Sequence, residues 1–333
     1  MMVLLSLLLA CGGADDEPTS PTGGADSAPP TDPLTWAMGL EEADGGVMLG
    51  AFTAGDEMIV VGGQLNDGTG TIWHLRDDGW CVEEEAVDAP LWWTHGRSDT
   101  DFYMVGERGR IVHEVDGVRT REDVPTDMKL FGVYDDGTDV WAVGGDIFTN
   151  TGEIWRKQGG TWALETTTPG LAFKVWENWF IGDGFVWRFD GSTFEDLTPE
   201  GEPRLTTIRG RGPDDVYVVG GLQVAVIYHW DGTAWQDIDL DPVCTSGAFN
   251  GVYTAPGEDV FVSGMFGVAT SWDGEGWSCS ERPLTAQHFH AVWHHQSAWW
   301  ALGGNLTSTA TQFATAARYG AGDPPPFNGA CDQ

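Results

Sequence analysis

The sequence predicts an all-β chain folded as a seven-bladed β-propeller of four-stranded antiparallel blades, the last blade closed by the N-terminal strand. Three observations predict it. First, the 333 residues include 47 Gly and 18 Trp, and short apolar runs are broken by Gly and Asp. No stretch after residue 35 sustains a helical period, so helix is at most a minor component. Second, an apolar run ending in Gly recurs seven times, with its glycines at Gly62, Gly106, Gly144, Gly182, Gly220, Gly264 and Gly303. The spacings of 44, 38, 38, 38, 44 and 39 residues match one four-stranded blade of about 40 residues. Third, the seventh unit lacks its last strand, and a matching segment stands at the other end of the chain.

Taking the elements in order, residues Val3 to Ala10 form a short apolar segment followed directly by Cys11. Leu8-Leu9-Ala10-Cys11 resembles a bacterial lipobox. The resemblance implies a signal peptide over residues 1–10, cleavage before Cys11, lipidation of Cys11 and anchoring to membrane lipid. The apolar segment is short and no Lys or Arg precedes it, which leaves room for a start upstream of Met1. Residues 11–33 are rich in Pro, Gly, Ser, Thr and Asp and too poor in hydrophobes to offset chain entropy, so a flexible tether is expected. Gly12, rather than Asp, follows the cysteine. By resemblance to bacterial sorting rules this favours the outer membrane of the cell envelope. No apolar segment of 18 residues exists.

The propeller is expected over residues 34–322. In each unit a strand A, such as Leu130-Phe131-Gly132-Val133-Tyr134, is followed by an acidic turn such as Asp135-Asp136-Gly137. The apolar run is strand B, as in Met58 to Gly62 or Val216 to Gly220. Strand C carries Ile72-Trp73, Ile154-Trp155, Val186-Trp187 or Ile227-Tyr228. It ends in a turn at Asp190-Gly191, Asp231-Gly232 or Asp273-Gly274, where a residue with positive φ suits a tight hairpin. Strand D opens on Trp80, Trp162, Phe194, Trp235 or Trp277, rings expected to pack blade against blade. The seventh unit reaches strand C near Ala316-Ala317-Arg318-Tyr319 and then runs into Asp323-Pro324-Pro325-Pro326 without a tryptophan. Trp36 in Leu34-Thr35-Trp36-Ala37-Met38 supplies it. The N-terminal strand therefore closes the ring and leaves no unpaired edge there, with residues 323–333 as a C-terminal tail.

Tyr217-Val218-Val219-Gly220-Gly221, then Tyr228, Trp230-Asp231 and Trp235, resembles a kelch-type repeat with a shortened C–D turn. Ser271-Trp272-Asp273-Gly274-Glu275-Gly276-Trp277 is similar to the Asp-box (BNR) turns of sialidase-like and photosystem-assembly-factor-like propellers. The resemblance covers residues 36 to 322 and implies the fold. It implies no activity, because these families range from sialidases to scaffolds.

After Cys11, four cysteines remain, an even number that suggests two disulfides in an exported protein. Three pairings are possible. Blade adjacency selects Cys244–Cys279 within the blade 5–6 region and Cys81–Cys331 across the seam between blades 1 and 7. No C-x-x-C exists, and neither a metal nor a cofactor is expected.

The balance of 51 acidic against 16 basic residues, net −35, repels phosphate backbones, so nucleic-acid binding is excluded. His288 and His290 are expected to begin a strand A on one face, with His294 and His295 in the turn beyond. Such a pair needs a third ligand to hold an ion, and polar lining of the channel mouth is the expected role. Sialidase chemistry needs converging arginines, a tyrosine and acids. Arg97, Arg108, Arg110, Arg209 and Arg211 are not fixed in one pocket by the sequence, and no catalytic residue is expected. Asn66-Asp67-Gly68-Thr69-Gly70 and Asp237, Asp239 and Asp241 read as solvated turns, since neither has the spacing of a Ca²⁺ loop.

Loop lengths direct attention to one face. The A–B and C–D turns are short and uniform. The B–C loops are expected to be long in blade 1 (Gly63 to Gly70), blade 3 (Asp146 to Gly152) and blade 7 (Asn305 to Gln312). The D–A linkers run from Val82 to Pro90, with Glu83-Glu84-Glu85, and from Gln236 to Gly247. Both loop sets share one rim, and function concentrates on loops over a rigid scaffold. Asn66, Asp67, Glu84, Asp146, Asn150, His288, His290 and Asn305 are the candidate binding residues, with the centre expected at blades 7 and 1. The expected function is a non-catalytic binding or scaffold protein, monomeric, with an unknown protein or glycan ligand. The alternative is a carbohydrate-active enzyme of the sialidase or lyase class.

Overall fold

The computed structural model describes residues 34–66, 68–240, 247–279 and 283–331. Seven antiparallel sheets follow one another along the chain, and each has its strands in sequential order A-B-C-D, apart from the last. In blades 1 to 7, strand A runs Val47–Ala54, Leu91–Ser98, Lys129–Asp135, Ala172–Trp176, Leu205–Gly212, Phe249–Tyr253 and His288–His295. Strand B runs Glu57–Gln64, Asp101–Gly106, Val140–Asp146, Trp179–Gly182, Asp215–Gly221, Val260–Gly264 and Ala298–Gly304, so all seven expected apolar runs are strand B. Among the described residues the one helical piece is a 3₁₀ turn, Met265–Gly267.

The recurring glycine has a steric cause. A Cβ added at Gly62, Gly144, Gly182 or Gly303 would lie 1.7–2.0 Å from the carbonyl oxygen of Val47, Lys129, Leu171 or His288, at the start of the strand A paired with it. Two residues after that carbonyl, every strand A carries one extra residue. The registers skip Leu49, Trp92, Phe131, Phe173, Thr206, Asn250 and His290. A one-residue bulge re-aims its side chain and bends the strand. Glycine and bulge are thus two halves of one device, repeated in every blade.

The strand D rings pack on the preceding blade. Trp80 lies edge-on to Trp300 at 5.2 Å, Trp235 to Trp179 at 5.9 Å and Trp162 to Tyr103 at 6.4 Å. Three indole N–H groups cross the same boundary: Trp162 donates to Glu122 at 3.0 Å, Trp235 to the Leu197 carbonyl at 2.5 Å and Trp277 to the Asp239 carbonyl at 2.9 Å. These rings combine apolar burial with a satisfied polar edge, whereas the Trp80 N–H is buried without a hydrogen-bond partner. The Asp-Gly hairpins form as expected. Asp190 accepts N–H bonds from Ser192 and Thr193, Asp231 from Thr233 and Ala234, and Gly191 and Gly232 have φ of 101° and 91°.

Blade 7 is completed by the N-terminal strand, Thr35–Ala43, which pairs antiparallel with strand C, Ala314–Gly320. Thr35 lies opposite Gly320, Trp36 opposite Tyr319 and Ala37 opposite Arg318, and Trp36 reaches Phe261 of blade 6 at 6.3 Å. The C-terminal segment also joins the ring. Phe327–Ala330 adds a fifth strand to blade 1, parallel to strand D, Gly79–Val87. The Cys81–Cys331 disulfide fastens it, as expected from blade adjacency. Cys244 lies outside the described residues, as do Cys11 and the segment 1–33.

Several local expectations are corrected. His294 and His295 belong to strand A, because the Trp299–Ala298 pairing continues through them. The bulge at His290 breaks the alternation, so His288 and His290 face different neighbours: His288 accepts from the Phe266 N–H of blade 6 (3.1 Å), whereas His290 contacts the Leu49 carbonyl of blade 1 (2.6 Å). Glu83, Glu84 and Glu85 lie within strand D rather than in a linker. The B–C loops of blades 1 and 3 shrink because the hairpin ladders extend to Gln64–Thr69 and Asp146–Thr151.

Candidate functional site

The inner strands surround a central channel, and the bulges build its mouth on the face shared by the B–C and D–A loops. A cavity of about 240 Å³ opens there, lined by six of the seven bulged residues: Trp92, Phe131, Phe173, Thr206, Asn250 and His290. Lys174 and Arg204, with Leu222, Ala248 and Met265, complete much of the wall. Three residues beyond each bulge the inner strands carry Phe52, His95, Tyr134, Trp176, Arg209, Tyr253 and Trp293. Six of these are rings and one is a cation, so the lower channel is an aromatic collar around Arg209. The guanidinium lies 4.3 Å from the Trp293 ring centre and 5.2 Å from that of Tyr253.

The charges in this channel oppose the charge of the whole molecule. Lys174, only 4% exposed, donates to the Phe131 carbonyl at 2.6 Å and sits 4.0 Å above the Trp93 ring. A cation over an indole is favourable by about 0.5–2 kcal/mol, but no carboxylate pairs with Lys174 among the described residues. Burial pushes its ammonium down to about 7. Arg204 differs, being bound to Asp183 at 2.6 Å. Withdrawal from water, reinforced by Lys174, holds His290 down at about 3. A neutral His290 whose Nδ1 donates to the Leu49 carbonyl presents Nε2 as an acceptor. In the collar, burial and then Arg209 likewise hold His95 at about 3, and His95 accepts from the Asp135 N–H at 3.1 Å.

Around this mouth the B–C loops expose apolar side chains. Phe148 is 92% exposed, with Ile147 beside it in blade 3; Leu222 and Val224 stand on blade 5, and Phe266 on blade 6. Phe266 is held at φ 57°, a conformation that costs a bulky residue of order 1–3 kcal/mol. These five are half of the ten large hydrophobic side chains that stand exposed among the described residues.

The sequence-derived candidates fall mainly into structural roles. Asn66 donates to the Ser308 and Ala310 carbonyls, and Gln64 and Gln312 bond reciprocally, so the B–C loops of blades 1 and 7 staple one another. Asn305 holds its own loop through Thr311 and Phe313. Asp146 caps the Phe148 N–H, and Asn150, at φ 50°, accepts from Leu171. Glu84 is exposed on strand D of blade 1, and Asp67 lies outside the described residues. His290 alone of the eight lines the channel cavity. The others on that wall were missed, although one signal existed. Aligned on the repeat glycine, Leu49, Trp92, Phe131, Thr206, Asn250 and His290 all stand 13 or 14 residues before it.

A second depression, of about 630 Å³, lies on the opposite face and is lined by Arg97, Tyr134, Asp135, Asp139, Arg156 and Glu177, among others. Its arginines are already neutralised: Arg97 by Asp101 and Asp135, and Arg156 by Asp139 at 2.5 Å. Glu177 is pushed up from the usual carboxylate range by burial, against the pull of Arg209.

No protein-family model matches the chain, and no curated protein matches it. Solved structures do. YCF48 bound to a D1 peptide is similar at 16% identity and a TM-score of 0.59, over 85% of this chain and 96% of that one. The WD40 β-propeller domain of Doa1 is similar at 12% identity and a TM-score of 0.61, over 84% and 96%. The computationally designed protein Ika8 matches at 11% identity and a TM-score of 0.56, over 84% and 99%. At these identities the likeness shows the propeller fold alone.

Proposed function

We propose that this protein is a non-catalytic binding protein of the bacterial cell envelope, anchored through Cys11, that takes a protein partner on the B–C/D–A face. One observation carries the reading: the exposed side chains Phe148, Leu222, Val224 and Phe266 stand on the loops around the mouth that the seven bulges build. The peptide carried by YCF48, a protein similar in fold, is in keeping with it. The contact centre is then blades 3 to 6 rather than blades 7 and 1, whose loops are occupied with each other. The kelch-like and Asp-box-like turns serve the scaffold. A photo-crosslinking residue placed at Phe148 or Leu222 in the full chain, in envelope preparations, should give a discrete adduct. The same residue at Val118, exposed on the opposite face, should not. Equal labelling from both faces overturns the assignment.

The carbohydrate-active reading rests on the second depression, where Glu177 has the raised proton affinity of a general acid beside Tyr134. Its arginines are paired, however, and a substrate carboxylate would first have to displace Asp135 or Asp139.

A further inference from the structure

We propose that the channel mouth is a binding site for a carboxylate carried on a small apolar body, with Lys174 as the group that holds the charge. This deepens the reading of that face as a binding surface and rests on it, but it concerns the cavity rather than the rim. The cavity is a pocket of about 240 Å³ with chemically divided walls. Trp92, Phe131, Phe173, Leu222, Ala248 and Met265 offer apolar surface, and Lys174, Thr206, Asn250 and His290 offer polar atoms. A hydroxyl-rich sugar would leave most of its polar groups facing carbon, which is costly. An apolar body with one anionic group would not.

The anion preference comes from Lys174. An ammonium has three donors. One goes to the Phe131 carbonyl, and the Trp93 face covers the group from another side. No second acceptor and no counter-charge meets it among the described residues. Charged neighbours are present but are themselves engaged. From blade 5, Arg204 is held by Asp183; from blades 2 and 3, Lys129 and Glu107 pair with each other at 2.6 Å. From blade 7, His290 is neutral and gives its Nδ1 proton to Leu49. A carboxylate beside Lys174 would therefore form a charge-assisted contact in a site shielded from water, with Nε2 of His290 free to accept an N–H from the ligand.

The site also predicts a proton count. The free ammonium titrates near 7, and a bound anion favours its charged form. Above neutral pH, binding must take up a proton onto Nζ, and below neutral pH it must not.

The probe is N-acetyl-leucine, with N-acetyl-leucinamide as its uncharged twin, titrated calorimetrically into the full-length protein. The acid should bind at least about tenfold more tightly than the amide, the worth of one hydrogen bond to a charged group. At a pH near 8 the binding enthalpy should depend on the ionisation enthalpy of the buffer, and near pH 6 it should not. Lys174→Met should remove the acid's advantage and the buffer dependence together, while Trp92→Ala should weaken acid and amide alike. Acid and amide binding equally, acid binding untouched by Lys174→Met, or no acid binding at millimolar concentration would each overturn the proposal. The crosslinking at Phe148 is independent of all three. If it succeeds while the acid fails to bind, the rim stands and the pocket does not; if both fail, the face itself is misassigned.

Discussion

At the scale of single residues, the channel shows what a strongly acidic chain does with a few of its basic side chains. Lys174 and Arg209 are placed over indole faces inside the ring rather than against surface carboxylates. For Lys174 the cost is readable as pH dependence. Its folded affinity for a proton, near 7, is lower than the unfolded value of 10.5. Below pH 7 both states hold the proton, and the penalty of burying the charge is fully present. Between about pH 7 and 10.5 the unfolded chain binds more protons than the folded one, so stability rises with pH. Denaturant midpoints of the wild type should therefore climb relative to Lys174→Met across that interval, and parallel curves would refute the assignment. None of this was legible in the sequence. Lys174 follows Phe173 in a blade whose short turn shifts the register of the repeat, so alignment on the glycines alone hides it.

At the scale of the element, the blade is a hairpin ladder with one fixed irregularity. Gly144 has an ordinary φ, so alanine there suffers no backbone strain. Its Cβ would instead meet the Lys129 carbonyl at 2.0 Å. Gly144→Ala should cost roughly 1–3 kcal/mol or more, the usual range for overpacking a tight interior. Gly276→Ala, where a Cβ meets open space, should stay within about 0.5 kcal/mol. Chemical denaturation of the two variants checks the pair, and equal losses would sink the steric account. The strands themselves were legible because Gly, the apolar run and Asp-Gly repeat in phase. Loop lengths were not, since Gln64–Thr69 and Asp146–Thr151 are polar or small residues that still pair. Polarity marks exposure, and an exposed hairpin end remains a strand while its backbone finds partners. The apolar rim was missed for the converse reason: Ile147-Phe148 and Leu222 look like core residues until the loops are placed.

At the scale of the whole molecule, closure was the most legible feature, because a tryptophan absent from one end of a repeat and present at the other admits few arrangements. The second fastening was legible as a pairing, since blade adjacency brings Cys81 and Cys331 together, but the strand it holds was not. Cys81 and Cys331 are 250 residues apart and link the parallel strand Phe327–Ala330 to blade 1. Joining positions so distant restricts the unfolded chain, and Cys331→Ser should lower stability by about 2–4 kcal/mol, measured as the denaturation midpoint against the oxidised wild type. An unchanged midpoint would mean that the tail contributes nothing to the ring. The closing strand has an orientational consequence as well. Thr35 sits opposite Gly320, at the C–D end of blade 7, whereas the mouth opens at the other end of the same strands. The described chain thus enters the propeller on its underside, and a partner arriving at the opening meets the rim loops without having to pass the strand that locks the ring.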